Sequence, residues 1–227
     1  MRKFILLIAF KLAFGITMNP NYNENILGQI NLYQLSQENE PGIHVQVPVE
    51  ATLQMPELPS GCEVTALAAA MKFKGYQVDK GEIADKYLPK NNMVLLGNPE
   101  QEYLGNPRDI YNGYYCFEDA LVKTVSNYNT MTGQNCQVEK ISNQGSARVY
   151  RELQKGNPVV VWVTRDWENP RAGVSGLMAN EHCVVISGFT DATVTIVDPL
   201  MGIVKVDRHK FEEIWMQMGC RAVSVVS

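Results

Sequence analysis

The apolar positions of this chain first follow a helical period and later a strand period. Val64, Leu67, Ala68 and Met71 recur at helical spacing, with Ala66, Ala69 and Ala70 as strong helix formers between them. Pro56 and Pro59 bar a helix before about Ser60, and Gly75 offers a stop. Ser60 and Glu63 spell the Ser-x-x-Glu capping pattern. The spacing therefore predicts a helix over 61–74, with Cys62 in its first turn. Further helices are expected over 81–87, 116–128 and 146–155. The stretch 91–113 is rich in Gly, Asn and Pro and reads as a long loop. Tyr103, Tyr111, Tyr114 and Tyr115 lie in or beside it.

Beyond Pro158 the pattern switches to β-branched runs. Strands are expected over 158–164, 182–189, 193–197, 203–206 and 221–226, with a helix over 208–217 between the last two. A weak alternation over 44–49 suggests one early strand. Helices first and strands later give a segregated α+β domain, not a doubly wound sheet.

The start of the chain has a different character. Met1-Arg2-Lys3 is basic, Phe4 to Phe10 is apolar, and small residues follow. This reads as a signal peptide or N-terminal apolar segment over 1–17, too short for a membrane span. Residues 18–42 read as a polar linker or arm, leaving one domain over 43–227. An exported or cell-surface protein is expected; a start at Met18 would instead make it cytoplasmic. A charge of -4 with 19% charged and 45% hydrophobic residues excludes a disordered chain, and a basic nucleic-acid-binding face is not expected.

Five cysteines, an odd count, leave at least one thiol unpaired within the chain. Cys62 is the one with a chemical reading. A thiol in the first helical turn meets the positive end of the helix dipole, which favours the nucleophilic thiolate. Gly61 beside it leaves room for a substrate. His182, at the start of an apolar strand, is the candidate base, whereas His209 lies among charged residues and His44 in the early strand. Asp198 is the candidate orienting group. A three-residue connection near Asp191 would put His182 and Asp198 on one face as diagonal neighbours, and a two-residue turn would put them on opposite faces. Gln54 and the Cys62 backbone N–H are candidates for stabilising an oxyanion. Cys183 alternates away from the His182 face. Cys116 with Cys136 and Cys183 with Cys220 is one pairing that suits an exported domain; four separate buried thiols is the other reading. No Cys-x-x-Cys or His-x-x-x-His spacing occurs, so no metal or cofactor is expected.

Taken together, Gln54, Pro56-Glu57-Leu58-Pro59-x-Gly61-Cys62-Glu63 and Lys74-Gly75-Tyr76 resemble the opening of the C39-like family of papain-fold cysteine peptidases. Gly105-Asn106-Pro107, Pro158 to Val163, His182 with Gly188-Phe189, Asp198-Pro199 and Arg221-Ala222-Val223 match in the same order. The resemblance implies a papain-like fold, a Cys62 nucleophile, a His182 base, Asp198 orienting it, and Gln54 in the oxyanion hole. It also implies a peptide or protein substrate cleaved through a thioester. A cell-wall peptide amidase or transferase would use the same triad. A non-catalytic peptide- or glycan-binding module on the same fold is the alternative from another class.

Overall fold

A computed structural model describes residues 44–173 and 176–226. The expected N-terminal segment and polar arm, 1–42, lie outside these residues. In chain order the described elements are β1 (Val45–Gln46), α1 (Cys62–Phe73), α2 (Lys80–Glu82, continued by a π-turn Ile83–Tyr87), β2 (Lys90–Asn91), β3 (Tyr103–Leu104), α3 (Glu118–Thr132), β4 (Gln137–Lys140), α4 (Ser146–Gln154), β5 (Val159–Thr164), β6 (Glu181–Phe189), β7 (Thr193–Asp198), β8 (Gly202–Asp207), α5 (Arg208–Gln217) and β9 (Ala222–Val226). The domain is α+β.

The sheet runs β4-β9-β5-β6-β7-β8, each neighbouring pair antiparallel. The β5–β6 ladder ends at Val159 opposite Ile186. β1 then continues the pairing on β6, with Gln46 opposite Gly188 and Val45 opposite Phe189. All of β5 is buried, which explains its unbroken Val-rich run rather than an alternating one. β4 went unread in the sequence. It is a short, mostly exposed edge strand with no apolar period.

Helix α1 packs against β5 and β6. Every residue from Cys62 to Met71 is buried, as expected of a helix enclosed by its own domain. The capping pattern does not form. Gly61 is the N-cap and no side chain caps it. The Ser60 hydroxyl instead donates to the Asp109 carbonyl at 3.1 Å, and the Glu63 carboxylate is used inside the core. Gly61 is required by packing rather than by substrate access alone. A Cβ there would stand 2.7 Å from the Leu58 Cβ and 3.3 Å from Pro107.

Residues 91–113 are more ordered than a free loop. A short 3₁₀ turn (Val94–Leu96) lies within them, and β3 pairs in parallel with β2 at their start. Ser60 N–H donates to the Pro107 carbonyl at 3.1 Å, so this segment walls the start of α1. Of the four tyrosines, Tyr103 and Tyr115 are buried and Tyr111 is 84% exposed.

The sheet is joined to the segment before α3 by Trp162. Its indole is fully buried, lies edge-on to Phe117, and donates to the Cys116 carbonyl at 2.8 Å. A Trp162→Ala variant is expected to lose about 3–5 kcal/mol of stability in urea unfolding, because it opens a large cavity and orphans that carbonyl.

Candidate active site

The β6–β7 hairpin positions two of the four candidate residues. Thr190 N–H donates to the Thr193 carbonyl, closing a two-residue turn at Asp191-Ala192. Near this turn the register pairs Phe189 with Val194 and Gly188 with Thr195. Carried to the far end, that register would place His182 and Asp198 on opposite faces. A bulge prevents this. The register shifts between Ile186 and Gly188, leaving Ser187 extra, and Val185 then pairs with Val197. Continued by one residue, this sets Val184 opposite Asp198. His182 and Asp198 thereby share a face, by a bulge rather than by a three-residue turn.

Their side chains meet. His182 Nε2 donates to Asp198 Oδ1 at 3.0 Å, and the residues are 2% and 4% exposed. The same oxygen accepts from Leu200 N–H at 2.7 Å and Met201 N–H at 3.3 Å. Burial pushes the Asp198 carboxyl up, but the neighbouring imidazole and these N–H groups outweigh it and hold it below its ordinary range. Nε2 is the ring nitrogen that meets Asp198, and Nδ1 is not part of that contact. The Asp-Pro turn after β7 and the carboxylate that orients the ring are thus one residue.

Gln54 is 3% exposed and anchored on the same corner. Its N–H donates to the Pro199 carbonyl at 2.8 Å, and its Nε2 donates to the Pro59 carbonyl at 2.8 Å. Lys80 Nζ bonds its backbone carbonyl at 3.2 Å. Gln54 Oε1 is buried without a hydrogen-bond partner. The side chain is fixed beside the approach to α1, and one of its two amide N–H groups is already spent on Pro59.

Cys62 differs from its expectation. Its thiol is 7% exposed and donates to Glu63 Oε2 at 3.3 Å, with Glu181 Oε2 at 4.0 Å. Among the described residues no Cys62–His182 hydrogen bond is present. Glu181 and His182 are successive residues of β6 and so point to opposite faces; the thiol lies on the Glu181 side. Burial, and then the charges of Glu63 and Glu181, push the thiol well above its ordinary range. The helix dipole does not prevail here, because the nearest groups are acidic and water is excluded.

Glu63 is the residue that sequence reading missed. It is fully buried. Besides the Cys62 thiol it accepts the Cys116 N–H at 2.8 Å on Oε1. The signal was present: it is the one charged residue between Cys62 and Met71, in a helix otherwise fit for a core. Burial raises its carboxyl from 4.5 to about 7. A carboxyl whose folded pKa is raised binds its proton more tightly when folded, so stability falls as pH rises from about 4.5 to 7. Thermal unfolding of wild type is therefore expected to weaken more between pH 5 and pH 8 than that of Glu63→Gln.

All five cysteines are free thiols, so neither Cys116–Cys136 nor Cys183–Cys220 is bridged. Cys116 and Cys183 are fully buried, and Cys136 is bonded through its backbone to the Asn129 side chain. Cys62, Glu63 and Glu181 are the grouping, among the described residues, whose ligand atoms converge, all within 4.8 Å of one another, closely enough for a metal ion. No described helix is long and apolar enough to cross a membrane.

A helix carrying Cys62 at its start, packed on an antiparallel sheet that presents a His–Asp pair, defines a papain-like α+β domain of the cysteine-peptidase type. The chain belongs to the Peptidase_C39 like family, whose match spans residues 35–223. It is 31% identical over 191 residues to the uncharacterised protein YvpB of Bacillus subtilis (strain 168), covering 76% of this chain and 72% of that one. It is also similar to the crystal structure of a candidate C39-like peptidase from Bacillus anthracis, at 30% identity and a TM-score of 0.70, covering 82% of this chain and 98% of that chain.

Proposed function

We propose that this protein is a cysteine-type peptidase or amide hydrolase in which Cys62 is the nucleophile, His182 the general base and acid, and Asp198 the group that orients His182. The observation that supports the reading most is the buried 3.0 Å contact of His182 Nε2 with Asp198 Oδ1, on the strand against which the Cys62 helix packs. The reaction requires Sγ to leave its contacts with Glu63 and Glu181 and to meet His182. The free ring nitrogen takes the thiol proton, and the thiolate attacks the substrate carbonyl carbon. The developing oxyanion faces the Cys62 N–H at the unsatisfied start of α1 and the remaining Gln54 amide N–H. When the C–N bond breaks, His182 returns its proton to the leaving amine, and a thioester is left on Cys62. Water, deprotonated by His182, hydrolyses it.

The class of substrate proposed is a peptide. One observation favours a second reading, a non-catalytic peptide- or glycan-binding module: the thiol's partners in the structure are Glu63 and Glu181. Incubating the full chain with a diverse peptide library, with and without prior alkylation by iodoacetamide, separates the two. New termini seen by mass spectrometry, and lost on alkylation of Cys62, are the expected result. Peptides retained but never cleaved would replace the peptidase with the binding module.

A further inference from the structure

The proposed reaction gives no task to Glu63 and Glu181, yet both touch its nucleophile. Glu63 holds the thiol through Oε2 at 3.3 Å and is itself fixed through Oε1 by the Cys116 N–H at 2.8 Å. The carbonyl of that same Cys116 is held by Trp162 of β5, so the Glu63 carboxyl is tied to the sheet and not free to swing. Glu181 approaches the thiol from β6 at 4.0 Å with Oε2, and its Oε1 is buried without a partner. Neither carboxyl makes an ion pair among the described residues. The nucleophile is thus enclosed by two acids on the side away from its base.

We propose that Glu63 and Glu181 are positioning residues that hold Cys62 in reserve: as a pair they keep its thiol protonated and turned from His182, and loss of their negative charge frees it to react. The inference rests on Cys62 as the nucleophile, but it concerns the thiol and not turnover. Two acids so close, out of water, oppose a further negative charge on sulfur. The other groups around the pair strengthen this bias more than they relieve it. Tyr103, Cys116 and Cys183 are buried acids beside it, each raised by burial and by Glu63. Glu118 adds to the field on Cys116 and Cys183. The cation that favours ionised Glu181 is Arg165, whose guanidinium is bonded to the Ala179 carbonyl. Proton uptake by the pair on acidification therefore lowers the barrier to forming the thiolate. The bond that changes is the S–H···O contact: the thiol keeps its proton, gives up Glu63 as acceptor, and hands the proton to His182 when it reacts.

The test is the rate at which iodoacetamide modifies Cys62 in the folded full chain, mapped by mass spectrometry between pH 6 and 8. Glu63→Gln and Glu181→Gln are each expected to label Cys62 faster than wild type at pH 7. The expected gain is about fourfold for every unit by which the thiol pKa falls, since the thiolate fraction rises tenfold while its nucleophilicity drops about 2.5-fold. The faster labelling should hold at each pH in this range in both variants, with Cys116 and Cys183 still protected. Unchanged or slower labelling of Cys62 in both variants overturns the proposal. So does labelling that spreads equally to Cys116 and Cys183, because that is the opening of a core whose acids are merely structural. Because no peptide is cleaved in this assay, a chain without peptidase activity would still give a clear answer.

Discussion

A Cys62→Ala variant is expected to fold and to lose peptide cleavage, with kcat lower by roughly 10⁴-fold or more, the order seen when a triad loses its nucleophile. The substitution removes one sulfur from a residue that is 7% exposed, the first of α1, whose other buried residues remain in place. Ala is also the strongest helix former. The variant should therefore melt close to wild type while its cleavage products vanish from the mass spectrum. Undiminished cleavage by Cys62→Ala would end the assignment. Loss of cleavage together with loss of the fold would be read from circular dichroism and separated from the chemical effect.

The second large effect is expected from Asp198, and two substitutions divide its duties. Its Oδ1 accepts from His182, Leu200 and Met201. An Asn side chain can still accept the two backbone N–H groups, so Asp198→Asn should keep the turn. It cannot supply the negative charge that stabilises the imidazolium, and kcat is expected to drop by about 10²- to 10⁴-fold with little change in Tm. Asp198→Ala should match that loss of activity and also destabilise by about 1–3 kcal/mol, because Leu200 N–H loses its acceptor and Met201 N–H keeps only the residue's backbone carbonyl. Equal activity in Asp198→Asn and wild type would remove Asp198 from the proposed triad and leave it as an ordinary turn residue.

The folded chain can be compared with its sequence at particular residues. Helix α5 lies over the residues its apolar period marks, Arg208 to Gln217. The all-apolar β5 and the start of α1 at Cys62 were equally legible, because local period, prolines and tertiary burial agree there. The failures have local causes. Ser60-x-x-Glu63 reads as a cap only if Glu63 stays near the surface. Tertiary packing draws that carboxyl inward to Cys116 and Cys62, and Ser60 turns to Asp109. The backbone dipole by itself predicts an acidic Cys62. The nearer charges come from Glu63, its sequence neighbour, and from Glu181, 119 positions along the chain. Such a distant partner has no period or spacing to announce it. Of the two readings of the other four cysteines, the unbridged one matches the fold; parity of a count says nothing about distance.

The extra residue at Ser187 carries a consequence for how this hairpin can change its length. Whether residues 182 and 198 share a face depends on the parity of the ladder, and one unpaired residue corrects the odd offset left by the tight turn at Asp191-Ala192. Deleting Ser187 alone would close the ladder without a bulge, with Gly188 opposite Thr195 and Ile186 opposite Ile196 as before, and would keep His182 and Asp198 on one face. The 16 positions from His182 to Asp198 fit a shared face in two ways: a two-residue turn with one extra strand residue, or a three-residue turn with none. A bulge traded for a longer turn would be a silent exchange, invisible in the spacing of His182 and Asp198 along the chain.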